Sequence, residues 1–234
     1  MIDARLQLAL DGGGLELPAE GTIAVFQPPR DSDLPGLDKD RVQIIHDFKP
    51  DYDAWAARGY DVVRTIKDRY AACIVCLPRA KAEARAVIAA ACEVCDGIVV
   101  IDGQKTDGAD SVLREMRDRV TVQGPISKAH GKMFWISEPA AEFFSDWRQG
   151  PELTEGGFWT APGVFSADGV DLASALLVDA LPEKLGAEVA DLGAGWGFLS
   201  AHALTRPDIK NLYLVEAGHM ALECARRNVT DDRA

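Results

Sequence analysis

The sequence predicts an α/β protein of two tandem Rossmann-like domains, the second incomplete. Three observations carry that expectation. Through the first 150 residues, short apolar, β-branched runs alternate with helical stretches, the pattern of a mostly parallel sheet with helices on both faces. Glycine-containing breaks at Gln149-Gly150-Pro151 and Gly156-Gly157 interrupt the alternation, which then restarts. The restart contains a glycine-rich loop, Gly193-Ala194-Gly195-Trp196-Gly197, between a strand and a helix, and it reaches only two strands by residue 234. A doubly wound sheet needs several more. The domain boundary is expected between residues 140 and 157, with domains 1–150 and 151–234.

In chain order, residues 22–26 and 42–46 read as strands and 60–64 as a shorter one. Residues 71–77, Ala-Ala-Cys-Ile-Val-Cys-Leu, form an uninterrupted apolar run closed by Pro78, which reads as a buried strand. The alanine-rich segment 79–95 has strong helix propensity, and 97–101 returns as a strand, completing a βαβ unit. Two CxxC pairs lie here, Cys73/Cys76 and Cys92/Cys95, with fifteen residues between them, a spacing that also fits a zinc site. The surrounding residues oppose zinc. Positions i and i+3 of a strand point to opposite faces, so Cys73 and Cys76 cannot grip one ion. Cys92 and Cys95 share a helix face with Ile88 and Ala91, the face a helix buries. All four are read as small buried hydrophobes, and no metal is expected.

Residues 110–120 read as a further helix and 132–137 as a late strand. The window 121–135 has Lys128, His130 and Lys132 with no acid, and Phe134 and Trp135 close it. It reads as strand, turn, strand; its turn is either simply solvated or a local RNA contact in which the lysines hold phosphate. In the second domain, 170–180 reads as an amphipathic helix, 188–191 as a strand, 198–205 as a helix, 211–215 as a strand and 219–228 as a helix.

Composition bounds the function. Of 234 residues 47% are hydrophobic, enough for a core. Five cysteines, an odd number, suggest thiols in a reducing compartment. The opening MIDARLQLAL lacks the apolar centre of a signal peptide, and no run approaches a membrane span. A cytoplasmic protein without membrane contact is expected. The net charge is −12, of which −7 falls from Pro151 onward. That opposes broad nucleic-acid affinity through a basic surface.

The strongest chemical signal is Val189-Ala190-Asp191-Leu192 running into Gly193-Ala194-Gly195-Trp196-Gly197. Glycines after a strand let backbone approach a ligand closely. A dinucleotide site would use that geometry for pyrophosphate, but the spacing is GxGxG rather than GxGxxG, and Asp191 would repel a phosphate. Asp191 suits a cationic ligand instead, such as S-adenosylmethionine with its ammonium and sulfonium. Glu216 ends the next strand, 25 positions on, where it can accept hydrogen bonds from ribose hydroxyls. In the first domain the loop after the first strand is Gln27-Pro28-Pro29-Arg30. Prolines offer no N–H and their rings block close approach, so that domain is not expected to bind the cofactor.

Residues 158–177, from Phe158-Trp159-Thr160-Ala161-Pro162-Gly163-Val164-Phe165-Ser166 onward, then VADLGAGWGFLS and LVEAGHMALECARRNV, resemble RsmC-type ribosomal RNA guanine-N2 methyltransferases. The likeness is sharp over 157–230 and looser over 20–150, where it rests on element order and on GIVVIDGQKTDGADSV. It implies two class I methyltransferase-like domains, a degenerate one for scaffolding or RNA docking and a catalytic one. It also implies S-adenosylmethionine as cofactor and ribosomal RNA, or a ribosomal subunit, as partner. Cofactor contacts carried over by position fall on Phe165, Ser166, Asp191, Gly193, Ala194, Gly195, Glu216 and Ala217. Packing beneath the following helix is the other reading of Phe165.

The family's catalytic loop, of Asn-Pro-Pro-Phe type, has no counterpart. Asn211 and Asn228 precede no proline, and Pro28-Pro29 follows Gln27 and precedes Arg30. No catalytic residue is therefore assigned, and residues 1–234 alone are expected not to methylate RNA. A non-catalytic fragment or RNA- or protein-binding module that retains part of the cofactor site is the alternative; a nicotinamide-dependent oxidoreductase is disfavoured by Asp191 and the loop spacing.

Overall fold

Strands apolar on both faces need helices on both sides, and the first half of the chain supplies them. A computed structural model describes residues 2–139 and 141–234; Met1 and Ala140, the first residue of the expected boundary segment, lie outside the described residues. Two units result, Met1–Gln149 and Gly150–Ala234.

The first unit contains α1 (Ile2–Leu10), β1 (Ile23–Phe26), β2 (Val42–Ile45), α2 (Lys49–Ala57), β3 (Asp61–Val63), β4 (Tyr70–Cys76), α3 (Lys81–Val94), β5 (Cys95–Gln104), α4 (Ala109–Arg117), β6 (Gln123–Lys128) and β7 (Gly131–Ile136). Its seven strands run in the order β3-β2-β1-β4-β5-β7-β6. The pairs from β3 through β5 are parallel, and β7 is antiparallel to both β5 and β6. The order reverses between β1 and β4, and that switch point is where open α/β sheets place a ligand crevice.

Strand alternation decides which helix each residue meets. Ala24, Phe26, Cys73, Val75, Val99 and Ile101 pack with Ile88 and Cys92 of α3 and Met116 of α4. Val25, Ile44, Ile74, Cys76 and Val100 face the other way, against Leu6 and Ala9 of α1 and Trp55 of α2. Cys73 and Cys76 thus lie on opposite faces of β4. One expectation changes: Cys95 is not in the helix but opens β5, capping α3 through its N–H to Ala91. β5 begins two residues before Gly97, directly after Val94, so the helix is shorter than its alanine content suggests. Among the described residues, no three His, Cys, Asp or Glu gather closely enough to hold a metal ion. None of the helices described there is long and apolar enough to cross a membrane.

The second unit has a short ribbon of β8 (Glu152–Leu153) and β9 (Trp159–Thr160), then α5 (Leu172–Ala180), β10 (Glu188–Leu192), α6 (Phe198–Ala203), β11 (Asn211–Val215) and α7 (His219–Asn228). β10 and β11 pair in parallel, Asp191 opposite Leu214 and Leu192 opposite Val215. Asp171 caps α5 by accepting from Ser174 N–H. A helix forms as expected, from Leu172 rather than Val170, but it buries no face: every residue of α5 is exposed or half-buried, with Leu172 80% and Leu176 68% exposed.

Candidate functional site

The site is built where β10 and β11 end together. Their register sets Leu192 beside Val215, so Asp191, just inside β10, and Glu216, just beyond β11, flank one turn. The chain leaves β10 through Gly193 at φ 80° and Gly195 at φ 55°, backbone that side chains rarely adopt. The amides of Gly193 and Ala194 both donate to the Val215 carbonyl, at 2.8 and 3.1 Å, pinning the loop to the end of the neighbouring strand. A β-carbon built on Gly193 or Gly195 would meet nothing within 4 Å. Their outer faces are open, so glycine serves the turn and leaves room for a ligand.

Glu216 organises the turn. Its Oε2 accepts from Gly195 N–H at 2.8 Å, and its Oε1 from the amides of Ala217 and Gly218 at 2.7 and 2.8 Å. A carboxylate offers about four acceptor positions, and three are taken by backbone. The Asp191 carboxylate accepts from the buried Ser200 hydroxyl at 2.6 Å. Ser200 lies on α6, so the helix after the loop orients the acid before it.

Behind the turn sits an aromatic wall. Trp196 is buried, with ring centroids 4.9 Å from Phe158 and 5.4 Å from Phe198. Its indole N–H donates to the Phe165 carbonyl at 3.0 Å, tying the segment around Phe165 and Ser166 to the glycine loop. The Phe165 side chain is 70% exposed and so does not pack beneath a helix. Ser166 is held at φ 54°, its hydroxyl donating to the Gly169 carbonyl at 2.8 Å. From α7, the Asn228 amide donates to the carbonyls of Trp159 and Trp196, both at 2.8 Å, and its oxygen accepts from Trp159 N–H at 2.7 Å.

All eight sequence-predicted cofactor positions lie in this unit; Asp191, Gly193, Ala194 and Gly195 stand at the end of β10 and Glu216 and Ala217 at the end of β11, joined by the bond from Gly195 N–H to Glu216. Phe165 and Ser166 join through the Trp196 indole. Ser200, Trp196 and Asn228 escaped sequence reasoning as parts of the site. Ser200 stands nine positions after an acid that needs a donor, a signal that exists only once the helix phase is known.

Residues 155–234 match the model of the methyltransferase small domain. Ribosomal RNA small subunit methyltransferase C of Colwellia psychrerythraea is 25% identical over 168 residues, covering 67% of this chain and 47% of that protein. Its counterpart in Vibrio parahaemolyticus is 31% identical over 163 residues, 62% of this chain and 47% of that protein. The solved Thermus thermophilus 16S rRNA N2 G1207 methyltransferase, RsmC, in complex with AdoMet and guanosine, superposes at a TM-score of 0.74. It is 22% identical and covers 97% of this chain and 66% of that one.

The chain is similar to the RsmC-type methyltransferases.

It spans about half the length of the curated relatives it matches. In the first unit the switch point between β1 and β4 is filled by the chain itself. Gln27 takes the left-handed turn at φ 51° and donates its N–H to the Ile45 carbonyl at 2.9 Å. Pro28 and Pro29 follow, and the fully buried Trp55 donates its indole N–H to the Pro28 carbonyl at 2.9 Å. At the end of β2 stands His46, 5% exposed, its Nδ1 accepting from Phe48 N–H and its Nε2 3.5 Å from an Asp51 oxygen. Burial lowers its pKa, opposed by Asp51, the Pro28 carbonyl and Asp47.

Proposed function

We propose that the chain is part of an S-adenosylmethionine-dependent enzyme that methylates a guanine N2 of ribosomal RNA, small-subunit RNA being the first substrate to try. One observation carries the reading: two carboxylates converge on an open glycine turn at the carboxyl ends of adjacent parallel strands. S-adenosylmethionine would supply an electrophilic methyl on its sulfonium. Asp191, oriented by Ser200, would attract the cationic part of the ligand, and Glu216 would accept from its ribose. Phe165, Ser166, Gly193, Ala194, Gly195 and Ala217 would line it. The likeness to the ribosomal RNA small subunit methyltransferases C supports this assignment.

Residues 1–150 are read as a degenerate methyltransferase-like domain that docks RNA, with contacts at Lys128, His130 and Lys132. Residues 151–234 are read as the N-terminal half of the catalytic domain. The exposed apolar residues Leu172, Leu176, Leu192 and Val215 support that reading, because a completing sheet and helices would cover them. A guanine amine is a poor nucleophile, since its lone pair is delocalised into the ring, so catalysis depends on acceptors that aim it. Residues 1–234 hold no Asn-Pro-Pro-aromatic loop to do so, and they should bind cofactor without turnover. Five cysteines held as buried thiols fit a reducing, cytoplasmic setting.

Calorimetric titration with S-adenosylmethionine and with NAD, beside a methyl-transfer assay on small-subunit RNA, tests the proposal. Heat with S-adenosylmethionine alone, and turnover only by a longer chain, is the expected result. Heat with NAD alone would make the site an oxidoreductase's. Turnover by residues 1–234 would overturn the assignment of catalysis to a missing loop. RNA binding with no cofactor heat would mark a binding module.

A further inference from the structure

The β6–β7 hairpin tip and the start of α4 frame a cleft of about 320 Å³, lined by Lys105, Asp110, Ser127, Lys128, His130 and Lys132 among others. Three lysines and a histidine around one cleft stand out in a chain of net charge −12. We propose that this cleft is a slot for a phosphate of the RNA backbone, and that Asp110 occupies it in the free protein as a removable stand-in for that phosphate. The proposal deepens the reading of the first unit as an RNA-docking domain and rests on it.

The slot is rigidly built. Ala129 and His130 form the two-residue tip at φ 48° and 57°, with Lys128 paired to Gly131 across it. Lys105 N–H donates to the His130 carbonyl at 2.9 Å, drawing the Lys105 segment to the tip. Beneath, the buried Arg5 guanidinium donates to the Lys128 carbonyl at 2.9 Å and grips both oxygens of Asp102 at 2.5 and 2.8 Å. A β-carbon on Gly131 would collide with that guanidinium and with the Gly103 carbonyl, so the hairpin sits against its anchor as only glycine allows.

The stand-in is the Asp110 carboxylate, 2.5 Å from Lys132 Nζ, with the Asp110 side chain 50% and the Lys132 side chain 33% exposed. An ion pair so exposed contributes little, and a phosphate oxygen offers Lys132 the same charge-assisted bond. Asp110 can turn to solvent at small cost. Phe134 and Trp135 are buried in the core and present no ring on which a base could stack. The slot therefore reads backbone charge and not sequence.

The test is fluorescence anisotropy of a labelled single-stranded RNA oligonucleotide against residues 1–234 across a salt series, cofactor omitted, with inorganic phosphate as competitor and melting curves for every variant. Asp110→Asn should tighten RNA binding about two- to fivefold by removing the competing carboxylate. Lys128→Gln and Lys132→Gln should each weaken it by a similar factor and make the salt slope shallower by about 0.7 per lysine. Lys128→Gln carries the test if an Asp110 variant melts early, since only its backbone carbonyl serves the anchor. Unchanged affinity in all three variants, or weaker binding by Asp110→Asn, would overturn the proposal. Tight binding of inorganic phosphate with no binding of RNA would make this a free-phosphate site and overturn it equally. Cofactor titration of the same variants is read separately: loss of cofactor binding with the RNA effects intact sinks only the methyltransferase reading.

Discussion

The turns after β1 and β10 begin alike and end differently. Each opens with a left-handed residue, Gln27 at φ 51° and Gly193 at φ 80°, whose N–H bonds the carbonyl ending the adjacent strand, Ile45 or Val215. From there Pro28-Pro29 stands where Ala194-Gly195 does, and His46 where Glu216 does. Gly195 has an N–H to give its carboxylate partner; Pro29 has none. The first turn is closed by protein, with the Trp55 indole on the Pro28 carbonyl, while the glycines of the second face open space. Two or three side chains separate a backbone turn that stays open from one that is filled by the protein itself.

The sharpest way to break that contrast is at the plug. Trp55→Ala should destabilise the first unit by ~3–5 kcal/mol, the usual cost of a buried Trp truncation, read from a denaturant melt, and should add no S-adenosylmethionine site to the one proposed in the second unit. A second equivalent of cofactor bound by that variant would mean that Pro28-Pro29 is no barrier and the plug alone closes the site.

Next come the two carboxylates. In a full-length protein, Asp191→Ala and Glu216→Ala should each weaken S-adenosylmethionine binding by ~1.5–3 kcal/mol, the range for hydrogen bonds to charged groups, and leave the first unit's melt in place. Unchanged affinity in both variants would remove the cofactor-site assignment.

Asn228→Ala probes the scaffold behind the open turn. It removes three hydrogen bonds to the backbone of Trp159 and Trp196 and should lower the second unit's stability by ~1–3 kcal/mol, read by amide exchange at Trp159 and Trp196. Protection equal to that of the parent would show that the aromatic wall holds without the clamp.

The smallest effect is on pH. Because burial lowers the His46 pKa from 6.5, the unfolded chain takes up that proton first as pH falls. The first unit should lose stability from about pH 6.5 downward, by at most ~1.4 kcal/mol per pH unit from this group. Replacement by Gln should flatten that part of the profile. A slope unaffected by the replacement would assign the acid sensitivity elsewhere.

Periodicity and breaker residues made the first unit legible, because β1, β4 and β5 are apolar on both faces and end at Gln27-Pro28, Pro78 and the Gln104 turn. They did not show which Cys lies in a helix. The i, i+3 spacing of Cys92 and Cys95 fits a helix face, yet Cys95 bonds as a cap and starts β5. The segment 2–10 has Ile2, Leu6 and Ala9 at helical spacing, but its buried ion pair with Asp102, 97 positions away, has no local trace.

By itself the sequence determined the α/β alternation, the glycine turn with its two acids, and the prolines that deny the first unit the same turn. These are local facts, set by φ preferences, missing N–H groups and strand alternation. The tertiary structure decided what each polar group answers to: Glu216 to three backbone amides, Asp191 to Ser200, Asn228 to two loop carbonyls, Lys132 to Asp110. Such partnerships depend on strand register and helix phase across long sequence separations, where a residue's neighbours in space are not its neighbours in the chain.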